Sequence, residues 1–182
     1  MDALIISGHT GYSGLITEGN GKEIARAGKE NIMAAYFAAR HYGALMAEAG
    51  HGSILFLSSS HASKPTGSNA AYSVSQGALQ MLSKEMALCY GSAGIRVNFL
   101  KLGPMQEEEA YFDSLLEAAD YDTETKSPLH RRMTGMDAAG AVAFLLSPDA
   151  AGINGASLDV DGGLYLYYFD RKYVFHKEAE LE

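Results

Sequence analysis

The glycine-rich stretch after the first apolar run is the segment of the sequence with the most obvious potential for ligand binding. In "SGHTGYSG", Gly8, Gly11 and Gly14 have the spacing of a dinucleotide-binding loop. Such a loop follows a strand, opens a helix and leads within about 30 residues to a second strand that ends in Asp or Glu. Here the Gly-Asn-Gly at 19–21 interrupts any helix, and no second strand follows. The context therefore does not support a dinucleotide loop at this position.

Histidine and cysteine offer little further chemistry. No two of the six histidines have the spacing of metal ligands on a helix, so no metal site is predicted; they occupy positions 9, 41, 51, 61, 130 and 176. The only cysteine, Cys89, excludes an internal disulfide and fits a reducing compartment. Its place in the helical run "MALCYG" predicts a small, buried apolar side chain.

Charge and hydropathy argue against a nucleic-acid partner and against a membrane span. The net charge is −8 and the basic residues are scattered, so the chain has no positive face for a nucleic acid. No apolar run approaches the ~20 residues of a membrane span, and no basic segment precedes an apolar one at the N-terminus. The expected location is the cytoplasm.

Apolar runs of strand length alternate with longer segments of helical periodicity. The strand-like runs are 3–7, 53–58, 95–101 and 156–160, and the helical segments are about 22–49, 70–90 and 136–147. This alternation predicts an α/β fold with a parallel sheet and crossover helices. Gly50 is expected to end the first helix, Ser68 or Asn69 to cap the second, and Thr134 or Asp137 to cap the third. Residues 105–133 are interpreted as a mobile, partly helical segment.

From Asn31 onward the sequence resembles the short-chain dehydrogenase/reductase family. The segment "NIMAAYFAARHYGALMAEAGHGSILFLSSS" is similar to the family's asparagine-bearing helix and the strand that delivers its catalytic serine. "AAYSVSQGALQMLSKEMALCYGSAGIRVNFLKLGP" resembles the tyrosine helix and the sixth strand, and "SPLHRRMTGMDAAGAVAFLLSPDAAGINGASLDVDGG" the last helix and strand. The resemblance implies a Rossmann-like three-layer fold.

The same resemblance implies which residues form the active site. Asn31, Ser59 and Tyr72 match the family's asparagine, serine and tyrosine, and Ser59 lies 13 residues before Tyr72, as in the family. The family's lysine, which stabilises the tyrosine phenolate and grips the cofactor ribose, is replaced by Gln76. If that lysine lowers the pKa of the tyrosine by ~2 to 3 units, its loss removes roughly 3 to 4 kcal/mol of phenolate stabilisation. Asn31, Ser59 and Tyr72 are therefore interpreted as vestigial.

The interval from Asp2 to Asn31 assigns the glycine stretch to a different element. It matches the family's interval from the start of its fourth strand to the asparagine, which makes 3–7 the fourth strand and puts 6–9 at the family's Asn-Asn-Ala-Gly. On this register the chain lacks strands 1–3 and the cofactor loop, and the sheet is reduced to about four strands in the order 4-5-6-7. Leu102 also replaces the proline that ends the family's sixth strand.

These differences lead to the hypothesis of a non-catalytic subunit of a hetero-oligomeric dehydrogenase. The chain is expected to bind no cofactor and no metal, while NAD is expected in a full-length catalytic partner of the same family. The resemblance extends to non-catalytic subunits such as that of 2-(α-hydroxybenzyl)succinyl-CoA dehydrogenase. The partner is expected to bind the helices 22–49 and 70–90 and the last strand. Residues 1–163 would form the domain, and 164–182 an aromatic-rich arm at the interface.

Two alternatives remain open. One is an active oxidoreductase of this family, or a cofactor-free enzyme, that uses Ser59 and Tyr72. The other is a decayed gene product that forms homo-oligomers.

Overall fold

A computed structural model describes residues 1–7, 10–11, 15–17, 19, 21–65, 67, 69–106 and 127–166. The elements, in chain order, are β1 (Ala3–Ile6), α1 (Gly21–Ala27), a π-helical turn (Gly28–Met33), α2 (Ala34–Ala49), β2 (Gly52–Ser59), α3 (Ala70–Gly91), β3 (Ile95–Leu102), α4 (Gly135–Leu146) and β4 (Ser157–Val160). The predicted strands and helices are confirmed, with ends that differ by at most one residue. The one difference is that a π-helical turn divides the predicted helix 22–49 into α1 and α2.

The four strands form one parallel sheet in the order β1-β2-β3-β4, as predicted. The register aligns Ile6 with Phe56, Ser59 with Leu102 and Leu102 with Val160, so the carboxyl ends of β2, β3 and β4 form one edge. β1 lies at one side of the sheet and pairs only with β2 among the described strands. Because open parallel sheets bind ligands at their carboxyl edge, this edge positions the candidate site.

Two apolar cores cover the faces of the sheet. On one face, α2 and α3 pack against alternate residues of β2 and β3, including Ile54, Phe56, Val97 and Phe99. On the other face, α4 packs Leu145 against Leu55 and Leu100. Because both faces are covered, the strands are continuously apolar runs rather than alternating ones. The fold is the predicted three-layer, Rossmann-like α/β arrangement.

Capping residues mark the ends of the helices. Gly50 adopts a left-handed conformation (φ 76°) and donates its N–H to the carbonyls of Met46 and Ala47, so it ends α2 as predicted. Thr134 is the N-cap of α4 and forms a capping box with Asp137, which unites the two predicted candidates. Asn69 stands at the N-cap of α3, although its side chain makes no capping hydrogen bond.

A partly buried arginine joins α4 to the sheet. Arg96 of β3 donates to the carbonyl oxygens of Leu145 (2.8 Å), Ser147 (3.1 Å) and Ile153 (3.4 Å). These carbonyls lie at and after the end of α4, where a cation is favourable for the helix dipole. Burial lowers the pKa of Arg96 from its usual value. This contact fixes the helix over β3.

Several sequence expectations lie outside this description or need correction. Cys89 is exposed rather than buried, because its position in α3 faces away from the sheet. Of the segment 105–133, residues 107–126 lie outside the described residues, while Met105 and Met133 form a parallel bridge. Most of the predicted arm, from 167 onward, also lies outside them.

Across the described ranges, no helix is long and apolar enough to cross a bilayer, and no cluster of His, Cys, Asp or Glu could hold a metal ion.

Candidate active site

Ser59 is the last residue of β2 and stands at the carboxyl edge of the sheet. The chain turns there through a short 3-10 helix, Ser60–Ala62. The Oγ of Ser59 accepts a hydrogen bond from the backbone N–H of His61 (3.2 Å), and Ser60 Oγ donates to the carbonyl oxygen of Leu102 (3.0 Å). The turn is therefore fixed to β3, and the backbone N–H of His61 holds the Ser59 hydroxyl in one orientation.

Tyr72 lies in the first turn of α3 and is 8% exposed. Its ring contacts the ring of His61 edge to face, with centroids 5.2 Å apart and an interplanar angle of 66°. The Nδ1 of His61 is 3.2 Å from Ser73 Oγ. Because His61 contacts Ser59 through its backbone and Tyr72 through its ring, the structure brings the two predicted residues to one place.

Asn31 is buried in the π-helical turn between α1 and α2. Its Nδ2 donates to the carbonyl oxygen of Thr10 (3.1 Å) and to Ser75 Oγ (2.9 Å), and its Oδ1 accepts from the N–H of Thr10 (2.8 Å). Ser75 Oγ in turn donates to the carbonyl oxygen of Tyr72 (2.7 Å). π-Helical turns are frequent at functional sites. Here the turn places Asn31 so that its side chain connects Thr10, which follows β1, to Ser75 on α3.

Gln76 is fully buried, and both ends of its amide are hydrogen-bonded. Its Oε1 accepts from Ser58 Oγ (2.5 Å) and its Nε2 donates to Ser75 Oγ (3.2 Å). A neutral amide held in this way carries no charge that could lower the pKa of Tyr72. The glutamine at the position of the family's lysine is therefore a buried, hydrogen-bonded residue rather than a surface substitution.

Sequence reasoning did not single out Lys101, the residue of β3 that pairs in register with Ser58. Its side chain is 11% exposed, and its Nζ lies 2.8 Å from Asp159 Oδ1 on β4 and 3.4 Å from Ser63 Oγ. The ion pair offsets the cost of burying the ammonium. A single lysine inside the apolar run "IRVNFLKL" was the available signal.

His61 was also missed, although it follows Ser59 by two residues. The available signal was its position: His61 is a titratable residue in the turn that follows the strand ending in Ser59. Its importance depends on the contact with Tyr72, which lies 11 residues further along the chain and on another element. Only the folded structure shows this contact.

A family comparison agrees with this arrangement. Residues 4–165 match a family model described as "Enoyl-(Acyl carrier protein) reductase". This match covers most of the chain and includes every residue of the candidate site. The chain belongs to the short-chain dehydrogenase/reductase family. The resemblance inferred from sequence motifs is thereby confirmed as family membership.

The curated relatives of this short-chain dehydrogenase/reductase include proteins that are named for different substrates. Glucose 1-dehydrogenase 2 of Bacillus subtilis is 35% identical over 116 residues, which cover 64% of the chain and 45% of that protein. The 3beta-hydroxysteroid dehydrogenase 1 of Eggerthella lenta is 38% identical, over 64% of the chain and 44% of that protein. The cyclic-di-GMP-binding biofilm dispersal mediator protein of Escherichia coli is 30% identical, over 89% and 67% respectively. The chain thus spans about half to two thirds of the length of these relatives.

Solved structures of short-chain dehydrogenases/reductases share the fold. A short-chain dehydrogenase/reductase family protein superposes with a TM-score of 0.81 at 26% identity, over 91% of this chain and 68% of that one. A gluconate 5-dehydrogenase from Burkholderia cenocepacia, solved with NADP and tartrate, gives 0.84 at 24% identity, over 92% and 66%. These likenesses confirm the parallel sheet and its flanking helices.

The prediction that this chain binds no cofactor is contradicted by these structures. Neighbours with the same sheet and helices, the gluconate 5-dehydrogenase and ElxO, were solved with NADP bound. The prediction relied on segments that the sequence does not contain, and a chain that spans part of its relatives cannot support such an exclusion. The residues described here fit the nicotinamide end of such a cofactor in part. Ser59 and Tyr72 lie together at the carboxyl edge and Asn31 connects to Tyr72 through Ser75, whereas the amide of Gln76 is already hydrogen-bonded at both ends to Ser58 and Ser75.

Proposed function

We propose that the chain is the catalytic part of a nicotinamide-dependent oxidoreductase that interconverts an alcohol and a carbonyl compound. The observation that carries this proposal is the contact of His61 with both Ser59 and Tyr72 at the carboxyl edge of the sheet. The names of the curated relatives support it, since glucose and 3β-hydroxysteroid dehydrogenases act on hydroxyl-bearing carbons.

Each residue of the edge has a role in such a reaction. Ser59 Oγ is placed to hydrogen-bond and polarise the substrate oxygen. Asn31 and Ser75 position Tyr72 by anchoring its backbone. A nicotinamide cofactor, when bound, accepts or supplies the hydride. The proton that accompanies it must move between the substrate oxygen and a side chain of this edge, and a positioned acid or base contributes about 10²- to 10⁴-fold to such a transfer.

The cofactor can be tested by titration of the purified chain with NADH and with NADPH, followed by the fluorescence of the reduced nicotinamide. Turnover is then assayed with sugars, sugar acids and a hydroxysteroid. We expect saturable binding of one cofactor and turnover of one substrate class, both measured again with Ser59→Ala, which should reduce turnover but keep binding. Absence of turnover with every substrate would contradict the proposal.

A second candidate is a non-catalytic subunit that stabilises a catalytic partner of the same family. The observation that favours it is Gln76, which occupies the lysine position without charge and is fully buried. Co-expression with a full-length homologue distinguishes the two candidates. A partner that gains activity from this chain, and gains equally from Ser59→Ala, supports the second candidate.

Either function is compatible with association through α2 and α3. Val74, Met81 and Leu88 follow each other at seven-residue intervals on α3 and are 59%, 57% and 82% exposed. Phe37 and Leu45 on α2, and Met33 at the end of the preceding π-helical turn, are also exposed. Several large apolar side chains exposed on two packed helices indicate a candidate interaction surface. We propose that it contacts another subunit of the same fold, a full-length homologue or a second copy.

A further inference from the structure

We propose that Lys101 is a positioning residue, whose ammonium holds the turn after β2 and thereby keeps the hydroxyl of Ser59 oriented toward the substrate oxygen. This inference rests on the proposed oxidoreductase function and adds a residue to its site. The turn comprises Ser60–Ala62, and Ser63 ends it. Lys101 is not among the residues that the family resemblance assigned to the active site.

Lys101 lies on the face of the sheet that α3 covers, beside the strand that carries the serine. Phe99 of β3 belongs to the apolar core on this face, and because side chains alternate along a strand, Lys101 faces the same side two residues later. Its Cα is in register with Ser58 on β2 and with Asp159 on β4. The side chain is nearly buried, so a cation stands within the sheet close to its carboxyl edge.

The ammonium of Lys101 contacts two different parts of this edge. Its Nζ lies 2.8 Å from Asp159 Oδ1 and donates a hydrogen bond to Ser63 Oγ over 3.4 Å. Asp159 belongs to β4, whereas Ser63 is the residue that ends the turn. One cation thus connects β3, β4 and the turn.

Adjacent residues of β3 hold the two ends of the turn. At its start, Ser60 Oγ donates to the carbonyl oxygen of Leu102 (3.0 Å). At its end, Ser63 Oγ accepts from the ammonium of Lys101. Because these two contacts come from consecutive residues of one strand, the sheet sets the position of the whole turn.

The position of the turn in turn decides where the hydroxyl of Ser59 points. Its Oγ accepts a hydrogen bond from the backbone N–H of His61, which lies inside the turn. A misplacement of about 1 Å in a positioned group can reduce a rate by about 10²-fold. A turn released at one end would therefore lower turnover even though the serine itself is intact.

Stability alone does not explain a lysine at this place. Exchange of a buried ion pair for apolar side chains of similar volume is often neutral or stabilising. Position 101 stands in the run "IRVNFLKL", where Phe99, Leu100 and Leu102 are all apolar. An apolar side chain would continue that run, but it would offer the turn no hydrogen-bond donor and Asp159 no partner.

The kinetic test removes the contact from each side. Lys101→Met keeps the length of the side chain without its donors, and Ser63→Ala removes the acceptor while the ion pair with Asp159 stays. We expect each variant to lower kcat about 10-fold, with the affinity for the cofactor unchanged. Lys101→Arg, which keeps the charge and the donors, should recover most of the activity. Lys84→Met, at an exposed position of α3, is the matched control and should keep the wild-type kcat.

A cycle of double substitutions shows whether Lys101 acts through the serine. In the Ser59→Ala background the hydroxyl to be positioned is absent, so Lys101→Met should have little further effect on kcat. Fully additive losses would mean that Lys101 affects the reaction by another route, and they would overturn the inference.

A second measurement does not require turnover. Amide hydrogen exchange, resolved by residue with NMR, reports local opening. The N–H of Lys64 donates to the carbonyl oxygen of Ser60 (2.9 Å), so its exchange follows the closure of the turn. We expect it to exchange about 10-fold faster in Lys101→Met and Ser63→Ala, while the amide of Phe56 inside β2 exchanges as in wild type. A general loss of stability would accelerate both amides.

The outcomes separate this inference from the proposed function. If the wild type turns over substrate and both Lys101→Met and Ser63→Ala keep its kcat, the inference is overturned while the function stands. If no substrate is turned over, the function fails and hydrogen exchange decides. Faster exchange confined to the turn then supports the positioning role, and exchange that is unchanged, or faster in β2 as well, overturns it. Should Lys101→Met not fold, Ser63→Ala gives both measurements.

Discussion

At the scale of single residues, the site depends on buried polar side chains that satisfy one another. Asn31 supplies three hydrogen bonds, two to the backbone of Thr10 and one to Ser75. Ser75 Oγ also accepts a hydrogen bond from the amide of Gln76, and that amide in turn accepts one from Ser58 Oγ. Such a network is stabilising only while every member has a partner. It therefore ties the loop after β1, α3 and β2 together behind the candidate site.

Asn31→Ala should destabilise the protein by roughly 2 to 4 kcal/mol, because it removes the three hydrogen bonds that the buried amide makes with Thr10 and Ser75. Urea unfolding followed by circular dichroism measures the effect. Lys29→Ala, an exposed position on the same turn, is the control and should change the free energy of unfolding by less than about 0.5 kcal/mol. A loss for Asn31→Ala no larger than that of the control would show that the network does not stabilise the fold.

At the scale of elements, α4 is held in place at both ends. At its start, Asp137 accepts two hydrogen bonds from Arg131 (2.7 and 2.8 Å) and others from Thr134. At its end, Arg96 binds the terminal carbonyls. The hydrogen bonds of Arg131, followed by those of Thr134, hold the pKa of Asp137 well below its usual range.

This shift predicts a pH dependence with a definite sign. The folded state keeps Asp137 ionised where the unfolded state, with a pKa near 3.9, takes up a proton. The stabilisation is therefore present above about pH 4 and is lost progressively as the pH falls below it. We expect Asp137→Asn to lower the free energy of unfolding at pH 7 and to differ less from wild type at pH 3.

Urea unfolding at both pH values tests this expectation, with Asp149→Asn in the exposed turn after α4 as the control. Thr134→Ala should cost about 1 kcal/mol through loss of the N-cap. A difference between wild type and Asp137→Asn that stays constant from pH 7 to pH 3 would be inconsistent with the assigned role of Asp137.

At the scale of the whole molecule, the sheet and helices leave two surfaces uncovered. β1 has a paired neighbour on one side only among the described strands, and Ile5 is 47% exposed. The second surface is the apolar face of α2 and α3 described above. Open sheet edges and apolar helix faces are both sites at which proteins associate.

Phe37→Glu combined with Met81→Glu should reduce the mass of the native assembly to that of a single chain, because the substitutions place charges in the apolar contact. Light scattering coupled to size-exclusion chromatography measures the mass, for the chain alone and with a co-expressed homologue. Met136→Glu is the control, since Met136 is also an exposed apolar residue but lies on α4, on the other side of the sheet. An assembly unaffected by the double substitution would place the contact elsewhere.

Most of the architecture could be predicted from the sequence. The strands alternate with helices because buried parallel strands need continuous apolar runs and their crossovers need amphipathic helices, and both patterns are local. Gly50, Thr134 and Asp137 acted as caps because capping depends on neighbours within a few residues. Asn31, Ser59 and Tyr72 could be named because their spacing follows the family.

The tertiary structure decided what these residues contact. The amide of Gln76 is buried between Ser58 and Ser75, and Lys101 is paired with Asp159 on the next strand. His61 joins Ser59 to Tyr72. None of these could be derived from spacing, because each joins side chains from different elements whose approach is set by sheet register and helix packing. The sequence by itself determined the fold and the candidate residues, and only the packing of α3 on the sheet decided which titratable group stands beside the tyrosine.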